Sequence, residues 1–471
     1  MDERDRIGGS LMATTTPART RPGSVPAHDP TTADLERLAT YPHVVVSWVD
    51  DDGYPTSVAT EFRVDTASGT IRLRAPEGMP IPTDRELGVV GSHIRPQPGI
   101  GYDERRYLQL WGRSDGTAFT PTRAWGWDEQ EVPFFEYSER SVPQSRRYLA
   151  ALSREKGRTI RPRLSPFWLA LRTTRLPFLS ATFVPVLLGI AVAASHGAFT
   201  WWTAVLTLVG GSFAHLGINV TNDVFDTLSG ADEANTTPTQ FSGGSRVAVY
   251  DLVSVRGLAW LAIALFGAAA AIGLALVAFT GSLTLLWIGV AGIVVGVAYT
   301  APPLKLVYRG LGEVAVAIGF GPIMLLGAYV VQTGRLAWEP FVLSLVPGIL
   351  IALILYVNEI PDRRSDAEAG KRTLPVRLPP ATVRTGYLVS AIAAFAIIVA
   401  GVVVGLFPWP TLVALAAVPI ALKVHDGLKV HYDSPYTLMA VMGTNVNLNL
   451  AVGGLLLAAY AGWIAVTLLA G

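Results

Sequence analysis

The pattern of apolar and polar positions divides the chain near residue 170. Before this point, short runs alternate apolar and polar side chains and end at turns rich in Gly and Asp, which is typical of half-buried β-strands. After it, apolar runs of about 20 residues recur, which is the length that an α-helix needs to cross a bilayer. We therefore expect a multi-domain protein in which a soluble β domain precedes a membrane-spanning bundle.

Period-two alternation predicts four strands in the first part, at 43–49, 56–63, 70–74 and 106–112. Turns are predicted between the first three strands, at Asp50-Asp-Asp-Gly53 and at Asp65-Thr-Ala-Ser-Gly69. Short strands joined by such turns favour a small antiparallel β-barrel, which we place at residues 33–150.

Polar segments flank the predicted barrel. Residues 1–32 are polar and rich in Pro and Thr, so we expect a disordered leader. Residues 151–171 include Arg158, Arg161 and Arg163 and are predicted to connect the barrel with the membrane part. Such cations are typical of a cytoplasmic segment beside the headgroups of a bilayer.

Nine apolar runs in the rest of the chain, 172–471, predict an all-α bundle of nine transmembrane helices. They lie at about 176–195, 201–221, 257–279, 283–301, 312–331, 339–358, 384–406, 410–423 and 446–469. The connections after even-numbered runs contain most of the cations, namely Arg246, Arg256, Lys305, Arg309, Arg363, Arg364, Lys371, Arg372, Arg377, Lys423 and Lys429. Connections after odd-numbered runs are almost without cations, Arg335 being the exception. The positive-inside rule therefore places the cation-rich connections and the barrel in the cytoplasm.

Composition supports this division. The chain is 51% hydrophobic and 15% charged, whereas about 25% charged residues are usual in soluble domains. The net charge of +1 gives no reason to expect nucleic acid as a partner. Cysteine is absent, which excludes disulfides, thiol catalysis and cysteine-based metal sites.

Acidic and amide side chains follow the second apolar run. The stretch from Asn219 to Asp232 contains Asn222, Asp223 and Asp226, and the last two share one face if the helix continues. Clustered oxygen ligands suit Mg²⁺, which often bridges carboxylates to substrate phosphates. The alternative is a solvated helix end capped by Asp and Asn.

A second acidic set, which we place in the loop after the sixth run, contains Asn358, Asp362 and Asp366. Because both sets follow even-numbered runs, we expect them on the same side of the bilayer and at the same depth. Together they could hold one or two Mg²⁺ ions and a diphosphate, whose remaining charge Arg246, Lys371 and Arg372 would neutralise. The alternative is a charged anchor on the cytoplasmic side.

The stretches NDVFDTLSGAD and NEIPDRRSDAEAGKRTLPVRL resemble the two Asp-rich motifs of the UbiA superfamily of intramembrane prenyltransferases. Further stretches are similar to the 1,4-dihydroxy-2-naphthoate polyprenyltransferases of menaquinone synthesis: Arg175-Leu-Pro, Ser242-Gly-Gly-Ser-Arg246, Tyr299-Thr-Ala-Pro-Pro-Leu-Lys305-Leu-Val-Tyr308-Arg309, and Gly321-Pro with Gly327-Ala-Tyr-Val-Val-Gln332. One departure is Glu359-Ile-Pro361, where the resemblance predicts Asn or Asp and then Arg before Asp362.

The resemblance implies Mg²⁺-dependent transfer of a polyprenyl group from its diphosphate to an aromatic acceptor in a prokaryotic plasma membrane, with 1,4-dihydroxy-2-naphthoate as the expected acceptor. It implies catalytic roles for Asp223, Asp226, Asp362 and Asp366, which would also bind the metal together with Asn222 and Asp232. The residues expected to bind substrate are Asn219, Asn222, Arg246, Tyr299, Lys305, Tyr308, Arg309, Asn358, Lys371 and Arg372. Tyr299 and Tyr308 are candidates for shielding an allylic cation, and their alternative role is that of aromatic anchors at the membrane interface.

In the barrel, YPHVVVSWVDDDGYPTSVAT and YLQLWGRSD resemble the split-barrel flavin-binding family related to pyridoxamine 5'-phosphate oxidase. This resemblance implies an antiparallel split barrel that binds FMN and forms dimers. A barrel without cofactor that serves for docking or regulation is the alternative.

Three other functions stay open from the sequence. The acceptor of a prenyltransferase could be another aromatic compound or an alcohol. A transporter could use the intramembrane carboxylates to bind coupling ions. The chain could also be a flavin protein tethered to the membrane.

Overall fold

The computed structural model describes residues 27–74, 76–96, 102–132, 134–161, 165–235, 238–239 and 241–470. Contacts divide the chain into two compact units, Met1–Tyr148 and Leu149–Gly471. Residues 1–26 of the predicted leader and Arg163 of the predicted connector lie outside the described residues. The domain limits predicted from the sequence, at 33, 150 and 172, stay predictions.

Among its described residues, the first unit contains six antiparallel strands and one complete helix, and a second helix continues from it into the second unit. The strands are β1 (Val44–Val49), β2 (Pro55–Asp65), β3 (Thr70–Arg74), β4 (Leu87–Pro96), β5 (Tyr102–Ser114) and β6 (Ala118–Asp128); helix α1 (Thr32–Leu38) precedes them and α2 (Phe134–Glu155) follows. Their order is β1-β2-β3-β6-β5-β4, and β4 pairs back onto β1, so the sheet closes on itself.

Alternation and turn chemistry explain the first three strands. Val44 and Val46 of β1 point inward and are fully buried, as are Leu108 and Leu110 of β5. At the first turn, the Asp50 carboxylate accepts a hydrogen bond of 2.8 Å from the backbone N–H of Tyr54. The strands predicted at 43–49, 56–63 and 70–74 are confirmed, and the one predicted at 106–112 lies within the longer β5.

The strands β4 and β6 were absent from the prediction because glycines interrupt their patterns. Gly91 of β4 lies beside the ring of Tyr41, where an added Cβ would stand 2.7 Å from a ring carbon. Gly126 of β6 lies close to the backbone of β5, where an added Cβ would stand 3.0 Å from the Tyr107 carbonyl oxygen. Both glycines therefore permit close packing while weakening the alternation that identifies a strand.

The second unit is helical. Its α-helices are α3 (Pro166–Thr174), α4 (Ser180–Ser195), α5 (Trp201–Ser229), α6 (Ala231–Ala234), α7 (Val255–Thr280), α8 (Leu283–Thr300), α9 (Gly312–Ile318), α10 (Met324–Thr333), α11 (Trp338–Glu368), α12 (Leu374–Arg377), α13 (Pro380–Val403), α14 (Val418–His431) and α15 (Pro435–Ala470). Short 3₁₀ segments cover Leu176–Leu179, Leu306–Arg309 and Trp409–Ala417, and a π-helical turn, Gly319–Ile323, joins α9 to α10.

Within the described part of the chain, eight helical segments are long and apolar enough to cross a bilayer. They are Trp201–Ser229, Val255–Thr280, Leu283–Thr300, Gly312–Thr333, Trp338–Glu368, Pro380–Val403, Trp409–His431 and Pro435–Leu469. The first predicted span corresponds to α4, which is apolar but shorter, with 16 residues. The count of nine spans therefore stays a prediction.

Helix α11 corrects one prediction. A loop was predicted after residue 358, but α11 continues through Pro361 to Glu368, so the second acidic set lies on a helix. Proline removes one backbone hydrogen bond and normally interrupts a helix. Here Val357 and Ile360 are fully buried and Pro361 is buried as well, so we attribute the continuation of the helix to the packing of this segment.

Small residues bring α11 close to the turn between α9 and α10. An added Cβ on Gly321 would stand 2.6 Å from the Ser344 carbonyl, and one on Gly348 would stand 2.6 Å from the Ala317 carbonyl. Close backbone contact of this kind is the main source of helix association in membranes. It fixes the face that α11 presents to the interior.

Candidate active site

The first acidic set lies at the end of α5. This helix continues to Ser229, so Asp223 and Asp226 lie on one helical face, and both are almost fully buried. Asp223 accepts a hydrogen bond of 2.8 Å from the guanidinium of Arg175, which lies in the left-handed region at the end of α3. The Asp226 carboxylate accepts hydrogen bonds from the Tyr308 hydroxyl at 2.8 Å and from the Asn222 amide at 2.9 Å.

The second acidic set lies on the final turns of α11. One Asp362 oxygen accepts from the Asn235 side-chain amide at 2.8 Å, and the other accepts from the backbone N–H of Gly243 at 2.9 Å. Asp366 lies one turn further on and is 5% exposed. Asp362 and Asp366 line the same interior space as Asp226 of α5.

Lys371 connects the two sets. Its ammonium nitrogen lies 3.3 Å from an Asp226 oxygen and 3.8 Å from an Asp366 oxygen. Burial disfavours the charged ammonium, but the carboxylates of Asp226 and Asp366 outweigh this effect and hold the pKa of Lys371 well above its ordinary value. The two acidic sets, distant along the chain, therefore converge on one cation.

Asp232 completes this acidic group from the short helix α6. It is 4% exposed. Burial raises the pKa of the Asp232 carboxyl well above its ordinary value, and the negative charges of Asp226 and Asp223 act in the same direction. Arg175 and Arg246 offset part of this repulsion, and a bound cation would offset more of it.

A glycine-containing loop, residues 241–246, joins the two acidic sets through its backbone. The N–H of Gly243 donates to Asp362, and the N–H of Ser245 donates to Asp223 at 3.3 Å. Gly244 has φ +73°, and a Cβ there would stand 2.6 Å from an Asp232 oxygen. Glycine is thus required by both conformation and space.

These groups surround the polar end of a cavity of about 580 Å³. The rest of its wall consists mainly of apolar side chains and glycines from α5, α7, α8, α10 and α11. Lining residues of α5 extend from Asp226 back to Thr207, which corresponds to about 28 Å along a helix axis. The cavity therefore combines a charged mouth with a long apolar interior.

The predicted site residues fall into two groups. Those that line the cavity are Asn219, Asn222, Asp226, Asp232, Tyr299, Asn358, Asp362, Asp366 and Lys371. Those that do not line it are Asp223, Arg246, Lys305, Tyr308, Arg309 and Arg372.

The residues outside the lining have identifiable contacts. The Arg246 guanidinium donates to the Asp232 carbonyl and lies over the Tyr250 ring. The Lys305 ammonium lies 5.1 Å from the centre of the Tyr308 ring. The exposed side chain of Arg309 donates a hydrogen bond to the Pro303 carbonyl. The side chain of Arg372 is also exposed, and its backbone N–H donates a hydrogen bond to the Tyr308 carbonyl. These four cations therefore support the site from outside the cavity.

Several residues at the site were not predicted to belong to it. Arg175 and Asn235 bond directly to the two acidic sets, and Glu359 lines the cavity. Arg175 is 48 residues from Asp223, so no local pattern reveals the pair. The Arg175-Leu-Pro motif was the one feature of the sequence that could have pointed to Arg175 as a site residue.

The donor set fits a hard divalent cation. In the described residues no three Asp, Glu or His side chains form a preassembled metal cluster. However, three buried oxygens have no hydrogen-bond partner among the residues that the structure describes: Asp223 Oδ2, Asp366 Oδ2 and Asn358 Oδ1. Buried oxygens of this kind need a partner, and an all-oxygen set is the one that Mg²⁺ prefers.

Comparison with known proteins gives one family match: the model of the UbiA prenyltransferase family matches residues 182–435. A similar protein is the 2-carboxy-1,4-naphthoquinone phytyltransferase of Synechocystis sp., which is 30% identical over 64% of this chain and 95% of its own length. Another is the 1,4-dihydroxy-2-naphthoate octaprenyltransferase of Mycobacterium tuberculosis, 34% identical over 51% of this chain and 78% of its own. A solved structure of a UbiA homologue from Archaeoglobus fulgidus with GPP and Mg²⁺ has a TM-score of 0.44 and 16% identity, covering 61% of this chain and 99% of that one.

The family match starts at residue 182 and so leaves the β unit aside. The FMN and the dimer predicted for that unit gain no support from it and stay predictions.

Proposed function

This chain belongs to the UbiA prenyltransferase family and is an integral membrane prenyltransferase, and from this premise we propose that it transfers a polyprenyl group from polyprenyl diphosphate to 1,4-dihydroxy-2-naphthoate in menaquinone synthesis. The observation that carries the proposal is the convergence of the two acidic sets on Lys371 at the mouth of an apolar cavity. Membership of an enzyme family also decides against the transporter alternative.

The names of similar proteins support the acceptor more than the donor. One transfers a phytyl group and others an octaprenyl group, but all act on a bicyclic naphthoate or naphthoquinone. The substrates in these names therefore share a naphthalene ring with oxygen substituents, whereas the length of the prenyl chain differs between them.

We assign metal binding to Asn222, Asp223, Asp226, Asp232, Asp362 and Asp366. The unpartnered oxygens of Asp223 and Asp366 support this assignment. When bound there, Mg²⁺ would stabilise the negative charge that develops on the departing diphosphate.

The remaining residues of the mouth bind and orient the donor. Lys371 and Arg175 supply positive charge for the phosphate oxygens, and Tyr308 holds the carboxylate of Asp226 in place through its hydroxyl. In the transfer, the bond between C1 of the prenyl group and the diphosphate oxygen breaks, and its electron pair leaves with the diphosphate. A ring carbon of the acceptor uses an electron pair of the ring to form the new bond to C1. It then loses a proton, or carbon dioxide if it carried the carboxylate, and the electron pair of the broken bond stays in the ring.

The apolar interior excludes water from this reaction. The allylic carbon becomes electron-poor as the diphosphate leaves, and water would capture it. Leu276, Leu285 and Ile288 are among the side chains that line the interior. The tail of the donor fits this part of the cavity, which keeps its C1 next to the charged mouth.

The test uses purified full-length protein in detergent with polyprenyl diphosphate, 1,4-dihydroxy-2-naphthoate and Mg²⁺, and the lipid product is identified by mass spectrometry. Asp226→Asn and Asp362→Asn are each expected to lower turnover at least about 100-fold, because each removes charge that holds the leaving group. Chelation of Mg²⁺ should stop transfer reversibly.

The matched control is Asp426→Asn on α14, whose carboxylate is exposed and paired with Lys429. It should keep wild-type turnover. Wild-type turnover in folded Asp226→Asn and Asp362→Asn would contradict the proposal.

A further inference from the structure

Glu359 is a buried acid that the proposed diphosphate site does not use. It lines the cavity and is 5% exposed, and among the described residues its carboxyl is paired with the carboxyl of Glu313, while neither of its oxygens has a hydrogen bond of ordinary geometry. Buried carboxyl groups without partners are rare in folded proteins because their desolvation is uncompensated. The geometry therefore leaves room for a ligand group at this position.

A second carboxyl lies behind the first. Glu313 of α9 is 9% exposed and its carboxyl is paired with that of Glu359, and its oxygen Oε1 has no hydrogen bond of ordinary geometry within the described part of the chain. On the cavity side, Glu359 interacts electrostatically with Tyr299 and Lys371. Two apolar side chains would fill this space at less cost than two carboxyls, so packing does not explain the pair.

The depth of Glu359 in the cavity indicates what it contacts. The face of α11 that lines the cavity changes from Ile351, Ile354 and Leu355 to Asn358 and Glu359 and then to Asp362 and Asp366. Glu359 precedes Asp362 by three residues, which is about 4.5 Å along the helix axis toward the apolar interior. With the diphosphate at Asp362 and the tail in the interior, C1 of the donor lies at the level of Glu359.

We propose that Glu359, supported by Glu313, binds a hydroxyl group of the aromatic acceptor; this inference rests on the proposed function. A hydroxyl both donates and accepts, so it pairs with the Glu359 carboxyl in either protonation state. This contact holds the neighbouring ring carbon beside C1 of the donor. An acceptor without the hydroxyl leaves Glu359 unpaired and is rejected.

The test is Glu359→Leu in the full-length protein, measured with 1,4-dihydroxy-2-naphthoate, polyprenyl diphosphate and Mg²⁺. The KM for the acceptor should rise about 10- to 100-fold, as expected for loss of a hydrogen bond to a buried carboxyl. The KM for the donor and the Mg²⁺ concentration that gives half-maximal turnover should not change. Glu359→Gln, which keeps an oxygen and a donor, should recover most of the acceptor affinity.

An acceptor analogue that lacks one hydroxyl supplies an independent measurement. For the wild-type protein, the KM for this analogue should exceed the KM for 1,4-dihydroxy-2-naphthoate by the same factor of about 10 to 100. For Glu359→Leu, the KM values for the two acceptors should be similar. The control variant is Glu368→Leu at the exposed end of the same helix, which should behave as wild type. If Glu359→Leu does not fold, Glu359→Met, of similar volume and greater flexibility, takes its place.

An unchanged acceptor KM in a folded Glu359→Leu would overturn the inference. So would a change confined to the donor KM or to the Mg²⁺ requirement, because Glu359 would then belong to the diphosphate site. Failure of the proposed function looks different: the wild-type protein itself would transfer no prenyl group to any hydroxylated aromatic acceptor.

Discussion

At the scale of single residues, the site depends on one ammonium group between two helices. The side chain of Lys371 is 12% exposed, and those of Asp226 and Asp366 are 6% and 7% exposed. Buried charges of one sign repel each other strongly, and a buried cation between them offsets that repulsion. We therefore expect Lys371 to stabilise the fold in addition to its proposed role in binding the donor.

Lys371→Met is expected to lower the free energy of unfolding by about 3 kcal/mol, because it leaves buried carboxylates without their cation. Thermal unfolding in detergent without added Mg²⁺ measures the effect as a lower Tm. The control is Lys429→Met, which removes an exposed pair with Asp426 and should leave Tm unchanged. Equal Tm values for Lys371→Met and wild type would show that the bridge does not stabilise the fold.

Sequence could identify the acids of the site but not their partners. Asp223 and Asp226, and Asp362 and Asp366, are recognisable because each pair repeats at helical spacing. The hydrogen-bond partners of these acids can be recognised only from the folded structure, because each lies 48 to 127 residues away along the chain. They are Arg175, Asn235 and the backbone N–H of Gly243. Such contacts depend on how helices pack, and no local pattern encodes that.

At the scale of elements, α11 organises the helical unit. Its cavity face passes from apolar side chains through Asn358 and Glu359 to Asp362 and Asp366, and nearer its N-terminus Gly348 packs closely against α9 and the π-helical turn. Rotation of this helix would move every acid of the second set together. We therefore expect the close packing at Gly348 to be as important to the site as the acids are.

Gly348→Leu should displace α11 because its Cβ would meet the Ala317 carbonyl at 2.6 Å. We expect a loss of about 1–3 kcal/mol in stability, as for other overpacked positions, together with reduced turnover. Thermal unfolding and the transfer assay measure both. Gly454→Leu on α15, where nothing lies within 4 Å of an added Cβ, should change neither.

Helices and strands could be predicted where one hydrophobic periodicity, of two or of 3.6 residues, dominated the segment. The strands β1, β2 and β3 alternate cleanly and end at Asp- and Gly-containing turns, so sequence located them within a few residues. The end of α11 was not predictable, because Pro361 normally stops a helix and only the surrounding packing shows that here it does not.

At the scale of the whole molecule, the distribution of cations predicts an orientation. We propose that the acidic sets and the β unit lie on the cytoplasmic side. The chain has no cysteine, so a single cysteine introduced at one position is the only thiol of the protein that a reagent can label. Its labelling therefore shows on which side of the membrane that position lies.

In intact spheroplasts, a membrane-impermeant maleimide should label Arg335→Cys and should label Glu368→Cys only after permeabilisation. Both positions are exposed, so access to the reagent decides the outcome. The reverse pattern would place the active site on the outer side and contradict the orientation.

The loop at residues 241–246 offers a spectroscopic consequence. Because its amide protons reach two separate helices, Gly243 toward Asp362 and Ser245 toward Asp223, their NMR resonances are natural reporters within a single short peptide segment. Selective ¹⁵N labelling of glycine and serine would let an investigator follow, in one titration, whether the α5 and α11 carboxylates engage ligand together or in succession.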